Sequence, residues 1–286
     1  MNEPLGISLE YAAPAPDLRE LISSYYLFDA PGPSLRETER ADRAQLRFVL
    51  VGEGGYIFRD GHEQRAPSAL ILGPTTGPTI SYAEGPLTIF GAGLQPAGWA
   101  AMMGAEAGEY TDRLLDAAEI FGSEALAALH ARFLAARTLP AMAAIADEAT
   151  RSLLHRADET SLWFTRMVDR WLAGPAPSVD ALIAETGLSQ RHVERLSKRH
   201  YGVGPKRLAR KYRALRAASA LARGDAEEIA AASDGFYDQS HLIREVKRFT
   251  GATPGDMRDH TPTLTRATIG GRSGLAGQVG PLVSDT

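Results

Sequence analysis

Short apolar runs separated by turn-forming residues dominate the chain up to about Leu94. They lie at residues 46–51, 56–58, 69–72 and 87–90. Glycines and Gly-Pro or Asp-Gly pairs stand between them, at the spacing of a strand meander or a small barrel. We therefore predict that this part of the chain is rich in β-strands.

From Pro96 onward the apolar residues follow helical spacing instead. Residues 124–135 and 140–154 are the clearest helices, and their alanine-rich faces allow close helix packing. A further apolar stripe covers residues 161–172 and ends where glycine and proline occur at residues 174–177. The pattern predicts a helical second part of the chain.

The last stretch of the chain has a different character. After Gly255 the helical periodicity is lost, and residues 261–286 are rich in Thr, Gly, Ser and Pro. A segment of this composition has few large apolar side chains with which to form a core. We therefore predict that it is a disordered tail.

Charge is distributed unevenly, although the net charge is only −4. Residues 1–186 hold 14 Arg and no Lys against 25 Asp and Glu, whereas residues 187–223 hold 11 Lys and Arg against the single acid Glu194. Residues 224–259 return to an excess of acids. A surface with no anionic partner has little reason to concentrate positive charge in this way. Residues 187–223 are therefore the candidate for contact with a polyanion.

Composition also excludes several classes of protein. The chain has no cysteine, so disulfides, thiolate metal sites and thiol nucleophiles are excluded. No apolar run approaches the ~18 residues of a membrane span, and the first ten residues do not have the basic-then-apolar form of a leader. We expect a cytoplasmic protein that does not enter a membrane.

The basic region contains a helix, a glycine turn and a second helix. The first predicted helix covers residues 179–186, with Ser178 as its N-cap and Gly187 as its stop, and the second covers residues 190–201. One helix-turn-helix pattern is weak evidence, because any two helices joined through a glycine resemble it.

The same pattern recurs further along the chain. A shift of 49 positions superimposes seven identical residues within sixteen. The pairs are Gln190 and Gln239, His192 and His241, Arg195 and Arg244, Lys198 and Lys247, Arg199 and Arg248, Gly202 and Gly251, and Pro205 and Pro254. Residues 206–222, between the copies, show a continuous helical pattern. The sequence thus predicts two helix-turn-helix units joined by one linking helix.

This arrangement resembles the DNA-binding domain of the AraC family of bacterial transcription regulators, over about residues 161–258. The most diagnostic match is the second copy, with GFYDQSHLIR at residues 235–244 and KRFTGATP at residues 247–254. One departure is Ser197, which stands where the family usually has a core phenylalanine. The resemblance implies an all-α, DNA-binding domain.

The N-terminal part resembles a less-studied, cupin-like sensor domain that is found attached to AraC-type DNA-binding domains. The matching segments are YAAP at residues 11–14, ILGPTT at residues 71–76 and GAGLQPAG at residues 91–98. This resemblance covers about residues 8–135. It implies a β-rich, cupin-like fold without naming a ligand.

The two resemblances together imply an α+β fold in three parts. Residues 1–158 form an N-terminal sensor or dimerisation domain, which is β-rich to about residue 95 and helical after it. Residues 159–260 form the all-α domain of two helix-turn-helix units and their linking helix. Residues 261–286 are the disordered tail.

The helix faces expected to contact DNA are defined by residue spacing. In the first unit Val193 and Leu196 point inward, while charged residues share the opposite face at i, i+3, i+4 and i+7. Arginine can donate hydrogen bonds to guanine, and glutamate can accept one from cytosine. We therefore favour contact of this face with a major groove over the alternative that it is only a solvated charged surface. The expected contacts are Gln190, Arg191, Glu194, Arg195 and Lys198 in the first unit, Gln239, Ser240, Ile243, Arg244 and Lys247 in the second, and Lys206, Arg210 and Lys211 on the linking helix.

The basic residues of the linking helix are spread around its circumference, so they cannot all read bases. Phosphate contact for some and solvation for the others is the expected division. The second recognition face is poorer in charge and has acids such as Glu227 and Asp234 nearby, so we expect it to bind DNA more weakly.

An effector pocket is a further expectation for the N-terminal domain. Tyr56, Phe58, Tyr82, Phe90 and Trp99 could line one, although aromatic residues of a small β fold are also common core residues. Because residues 1–186 are acidic and show no basic cluster, a neutral or cationic effector is favoured.

No metal or other cofactor is expected. A cupin metal site needs several convergent His and carboxylate ligands, and the strand-rich half offers only His62 beside Glu63. Neighbouring residues of a strand point to opposite faces, so this pair cannot supply such a site.

These observations favour a sequence-specific DNA-binding regulator that is not an enzyme. Its expected partners are operator DNA and a small-molecule effector, with RNA polymerase and a second copy of the chain as further partners. Two alternatives stay open: a cupin-type enzyme fused to a DNA-binding module, and a helix-turn-helix domain that binds another protein. An enzyme needs a metal or acid-base cluster that the sequence does not display. The 11 positive charges of residues 187–223 would repel most partners other than polyanions.

Overall fold

The computed structural model describes residues 6–152, 159–174 and 177–286. Ten β-strands occupy the described residues up to Asp116. In chain order they are β1 (Ser8–Ala12), β2 (Ile22–Ala30), β3 (Ser34–Glu39), β4 (Gln45–Val51), β5 (Gly54–Ile57), β6 (Glu63–Arg65), β7 (Ala69–Leu72), β8 (Thr79–Glu84), β9 (Leu87–Leu94) and β10 (Leu114–Asp116). The β-rich region predicted from the apolar runs is confirmed.

The strands form two antiparallel sheets. The larger sheet has the order β1-β2-β9-β4-β7-β10, and the smaller has the order β3-β8-β5-β6. The alternation of side chains along β2 explains how the larger sheet is used on both faces. Tyr25 packs with the helices that cover one face, whereas Tyr26 and Phe28 belong to the cluster between the two sheets.

Thirteen α-helices are present in the described residues. In chain order they are α1 (Pro96–Met102), α2 (Ala118–Phe121), α3 (Ser123–Ala135), α4 (Leu139–Arg151), α5 (Glu159–Ala173), α6 (Val179–Thr186), α7 (Gln190–Tyr201), α8 (Pro205–Arg223), α9 (Ala226–Ser233), α10 (Gln239–Thr250), α11 (Pro254–Asp259), α12 (Thr263–Ser273) and α13 (Pro281–Ser284). The end of the helix predicted for residues 140–154 lies partly outside the described residues.

The main core of the N-terminal part lies between the larger sheet and helices α1, α3 and α4. Phe133 of α3 is buried against Phe48 and Phe90 of the sheet, with ring centroids 4.8 and 4.5 Å apart. Trp99 of α1 is buried at the same core, and its indole Nε1 donates to the carbonyl of Ala105. Large aromatic side chains of this kind provide much of the apolar area that a fold buries.

The residues after Thr261 form helices and are not a disordered tail, so that prediction is wrong. Leu264 and Ile269 of α12 are buried, as are Leu282 and Val283 of α13. The segment is poor in apolar residues, but those it has are placed on surfaces that the earlier domains leave uncovered. Tertiary contact thus overrides the low helix propensity of its Thr and Gly residues.

A close approach between α12 and the first strand depends on glycine. A Cβ atom added to Gly271 would lie 2.2 Å from Cδ2 of Tyr11, which no side chain could tolerate without movement. Arg272 beside it is buried and pairs with Asp42. These contacts fix the last helices on the N-terminal domain.

Across the described ranges, none of the helices is long and apolar enough to cross a membrane.

Candidate nucleic-acid interface

Helices α7 and α10 are equivalent in length, capping and burial, as the 49-residue repeat predicts. Each has 12 residues and begins at a polar N-cap, Ser189 in the first unit and Asp238 in the second. Each ends at a glycine in the left-handed region, with φ of 79° at Gly202 and 82° at Gly251. A polar N-cap and a glycine stop at equivalent positions place the two helices in the same register relative to their turns.

The first turn has the geometry expected of a helix-turn-helix. The Ser178 hydroxyl accepts a hydrogen bond from the amide of Ala181 and begins α6. Helix α6 ends at Gly187, which adopts a left-handed conformation with φ of 66°. Val193 and Leu196 of α7 are buried in the core of this unit, as predicted.

The predicted contact residues of α7 lie on the outside of the unit. Gln190, Arg191, Arg195 and Lys198 are exposed, and Glu194 is half-buried. Nη2 of Arg195 lies 2.9 Å from Nε2 of His192, one turn earlier. The structure therefore brings all five residues together on one accessible face.

The second unit exposes the equivalent face. Gln239, Ser240, Ile243, Arg244 and Lys247 of α10 are all exposed. A second observation concerns the position just before this helix. The side chain of Tyr237 is 92% exposed, and sequence reasoning did not select it. Its place beside the N-cap Asp238 is the signal that could have identified it.

Three basic residues of α8 were predicted to contact DNA, and the structure separates them. Lys206 is exposed. Nη2 and Nε of Arg210 donate hydrogen bonds to the carboxylate of Glu245 on α10, at 2.6 and 2.8 Å. This pair ties the linking helix to the second recognition helix, so Arg210 acts within the domain.

Lys211 is not on a DNA-facing surface, which corrects its prediction as a phosphate contact. It is 5% exposed, and its ammonium donates to the backbone carbonyls of Asp42 and Thr75 in the N-terminal domain. Burial lowers the pKa of Lys211 to about 7, and the charge of Asp42 offsets only part of that effect. The spread of charge around α8 could not show which side another domain covers.

Further hydrogen bonds join the same two parts of the chain. Nη2 of Arg43 donates to the Tyr212 hydroxyl at 3.2 Å, and Nη2 of Arg207 donates to Oγ1 of Thr76 at 2.7 Å. The amide of Ala41 donates to the carbonyl of Phe249, at 2.7 Å. One side of the linking helix and the end of α10 therefore rest on the N-terminal domain, while the outer faces of α7 and α10 do not.

The residues predicted to line an effector pocket do not share one site. Tyr56 and Tyr82 line a cavity between the two sheets. Phe58 shares a buried cluster with Tyr56 but does not line this cavity, and Phe90 and Trp99 belong to the main core under the helices. Their burial as core residues is the alternative that the sequence left open.

The cavity between the sheets also bears on the predicted charge of an effector. Arg40, Arg47 and Arg272 all line it. The expectation of a neutral or cationic effector rested on the absence of a basic cluster near this domain, and the fold assembles one. Arg272 could not be associated with the others from sequence, because it lies 230 positions from Asp42, its ion-pair partner.

Comparison with known families matches both parts of the chain. A family described as a helix-turn-helix domain matches residues 182–260. Residues 182–260 form an AraC-type helix-turn-helix domain. The match covers the linking helix and both recognition helices, so it supports the function of an AraC-type transcription regulator. A domain of unknown function (DUF6597) matches residues 10–116, which contain both sheets apart from the first two residues of β1.

Three solved structures show a distant likeness to this chain. ToxT from Vibrio cholerae is 10% identical with a TM-score of 0.45, over 80% of this chain and 98% of that chain. ToxT with a bound unsaturated fatty acid is 8% identical with a TM-score of 0.45, over 90% and 96%. The AraC-like transcriptional activator CuxR is 11% identical with a TM-score of 0.34, over 80% and 90%. No protein of curated function matches the chain.

The AraC-type domain also accommodates the serine that departs from the family's pattern. Ser197 is 0% exposed, and its hydroxyl has no hydrogen-bond partner among the described residues. Its counterpart in the second unit, Val246, is equally buried. The first unit therefore carries a polar atom in a place that favours an apolar one.

Proposed function

We propose that the protein is a sequence-specific transcription regulator that reads DNA with the outer faces of α7 and α10. The observation that carries this proposal is the matched pair of recognition helices. Both have 12 residues, a polar N-cap and a glycine stop, and both expose a face that the rest of the protein leaves uncovered. Each such helix fits a major groove, and the residues at its exposed face reach base edges.

The first recognition helix supplies most of the sequence reading in this proposal. Arg195 and Arg191 are exposed and can bond guanine, and Glu194 can accept from cytosine. The second helix contributes through Arg244 and Lys247, with less charge around them. Lys206 remains the phosphate contact of the linking helix, because it is the one of the three proposed there that is exposed.

In this proposal the protein acts by binding DNA and catalyses no reaction. It is located in the bacterial cytoplasm, because the chromosome lies there. The alternative of a protein-interaction module is disfavoured by the exposed basic side chains of α7, which would attract a polyanion. The N-terminal domain serves as the sensor or dimerisation part, and RNA polymerase is the partner through which transcription changes.

The experiment that tests the proposal is selection of DNA by the full chain. Genomic fragments are bound at low salt and again at a higher salt concentration, and the retained fragments are sequenced. We expect a small set of fragments with a shared motif, and an affinity that falls steeply as salt rises. Retention without any shared motif would contradict sequence-specific reading, and no retention at either salt concentration would contradict DNA binding.

A further inference from the structure

A cavity lies between the two sheets, and the C-terminal helix α12 forms part of its wall. Its volume is about 70 Å³, which is room for roughly five water-sized volumes. One part of its wall is apolar and includes Phe28, Leu35, Ile89 and Leu264. The remaining part is strongly polar and holds the arginines Arg40, Arg47 and Arg272 with the acids Glu39 and Asp42.

The two acids of the wall are already paired. Glu39 accepts from both terminal nitrogens of Arg47, at 2.7 and 3.1 Å. Asp42 accepts from both terminal nitrogens of Arg272, at 2.5 and 3.2 Å. Two of the three arginines thus donate hydrogen bonds to a carboxylate, and neither acid accepts one from the third.

Arg40 is the third arginine, and it is 5% exposed. None of its three guanidinium nitrogens has a hydrogen-bond partner among the residues that the structure describes. Burial lowers the pKa of Arg40 to about 10; the nearby charge of Arg272 adds to this effect, and the charge of Asp42 offsets part of it. A buried guanidinium that donates no hydrogen bond is costly, so its presence calls for an anion that accepts from it.

A second unpaired group lies on the wall that α12 contributes. Thr265 is 2% exposed, and its hydroxyl has no hydrogen-bond partner in the described part of the chain. It lines the same cavity as Arg40. A hydroxyl can donate to a carboxylate oxygen, so the cavity offers donors from both the N-terminal domain and the C-terminal helix.

We propose that this cavity binds a small organic monocarboxylate, with its carboxylate on Arg40 and Thr265 and its apolar body against Phe28, Leu35 and Ile89. The guanidinium is planar and matches a carboxylate with two parallel hydrogen bonds. The apolar wall distinguishes such a ligand from an inorganic anion. Binding of the ligand to this cavity does not depend on whether the protein binds DNA. The role of the cavity as an effector site rests on the proposed function.

The position of the cavity gives the ligand a route to the DNA-binding domain. Asp42 is one of the residues that line the cavity. Its carboxylate accepts from Arg272 of α12, and its backbone carbonyl accepts from Lys211 of the linking helix. A ligand beside Asp42 therefore touches the residue that fixes both C-terminal elements on the N-terminal domain.

The test is thermal unfolding of the full chain with matched pairs of probes. Sodium butyrate and sodium benzoate are compared with their neutral amides, butyramide and benzamide, and inorganic phosphate is a separate arm. At near-saturating concentration we expect at least one carboxylate to raise the Tm by about 2 to 4 °C, because a ligand that binds only the folded state stabilises it. The amides and phosphate should leave the Tm unchanged.

Variants assign the shift to the cavity. Arg40→Gln should abolish it, and Thr265→Val should weaken it. Arg36→Gln is the matched control, because Arg36 is an exposed arginine of strand β3, four residues before Arg40, and should keep the full shift. Arg40→Gln should itself unfold no earlier than the parent chain when no ligand is present, because it removes an unpaired buried charge.

Several results would overturn the proposal. The amides could raise the Tm as much as the carboxylates do, or the rise in Tm could survive Arg40→Gln. Neither carboxylate could raise the Tm, or phosphate alone could raise it. DNA binding of the same proteins, measured by fluorescence anisotropy, separates this inference from the proposed function. Loss of the carboxylate shift with intact DNA binding rejects only the ligand site. If the carboxylate raises the Tm but the protein does not bind DNA, the ligand site is confirmed and its role as an effector site is rejected.

Discussion

Arg272 and Asp42 form a buried ion pair that joins the last part of the chain to the N-terminal domain, with Nη2 and Oδ2 2.5 Å apart. Burial alone would raise the pKa of Asp42, but the charge and hydrogen bonds of Arg272 hold that pKa well below its ordinary value. The pair therefore keeps Asp42 ionised inside the protein.

Arg272→Gln should lower the free energy of unfolding by about 3 to 5 kcal/mol, because it leaves the Asp42 carboxylate buried without its charged partner. Urea unfolding of the full chain measures the change. Arg258→Gln is the control, because Arg258 forms an exposed pair with Asp259 that should be worth less than about 1 kcal/mol. Equal effects of the two substitutions would show that α12 is not held by this pair.

Lys206 and Lys211 should differ in their effect on DNA binding although they lie five positions apart on one helix. Lys206→Ala should reduce the slope of log affinity against log salt by about 1, as expected for one lost phosphate contact. Lys211→Ala should leave that slope unchanged, because its ammonium is bound to Asp42 and Thr75. A reduced slope in the Lys211 variant would mean that the domains separate on DNA.

Arg195→Ala should weaken binding to the selected motif by about 1 to 3 kcal/mol and relax the preference at one base position. The measurement is a competition of the motif and its single-base variants against random DNA. Arg223→Ala is the control, since Arg223 lies at the far end of α8 and pairs with Glu228. An equal loss on motif and random DNA would assign Arg195 to the phosphates instead.

Ser197→Ala should raise the free energy of unfolding by about 1 kcal/mol, because it removes a buried hydroxyl that has no hydrogen-bond partner in the described residues. Ser189→Ala should have the opposite sign and cost about 1 kcal/mol, because the Ser189 hydroxyl caps α7. Both are measured by urea unfolding. A destabilised Ser197 variant would indicate that the hydroxyl is satisfied in solution.

Asp169 should make the protein less stable as pH rises from about 4 to 6. Burial raises the pKa of Asp169 to about 6, and the charge of Arg43 and the hydrogen bond from Tyr201 offset only part of this effect. The ordinary value is about 3.9, so between the two values the folded state holds a proton that the unfolded state has lost. Stability from this group is greatest below about pH 4 and is lost by about pH 6.

Asp169→Asn should remove that pH dependence and raise the free energy of unfolding at neutral pH by up to about 3 kcal/mol. Urea unfolding on both sides of this interval gives the comparison. Glu185→Gln, at an exposed position of α6, should leave the pH profile of the parent chain unchanged. An Asp169 variant that keeps the parent profile would exclude this carboxyl as its source.

The sequence was sufficient for elements whose pattern is local. Helix α6 has the predicted bounds, cap and stop, and strand β7 covers the predicted residues 69–72. Strand β3 was missed because only Leu35 of its residues is a large apolar one, and its identity as a strand comes from six pairs with β8. Local pattern carries no information about a partner strand 40 or more residues away.

The site shows the same division. The exposed faces of α7 and α10 follow from helical spacing, because the residues involved are neighbours on one helix. Contacts between distant segments determine the burial of Lys211 and the clustering of Arg40, Arg47 and Arg272. The composition of residues 1–186 indicated only that this part of the chain is acidic. A regional charge balance averages over surfaces, whereas the potential inside a cavity depends on the few charges that line it.

Helix α12 forms part of the cavity wall and comes late in the chain, so this wall is translated after the rest of the cavity. Synthesis runs from the N-terminus, so the residues of both sheets and both recognition helices are translated before residue 272. The pair between Arg272 and Asp42 can form only after residue 272 has been made. A chain cut short before residue 263 would therefore hold the residues of both recognition helices but lack the wall that α12 gives to the cavity.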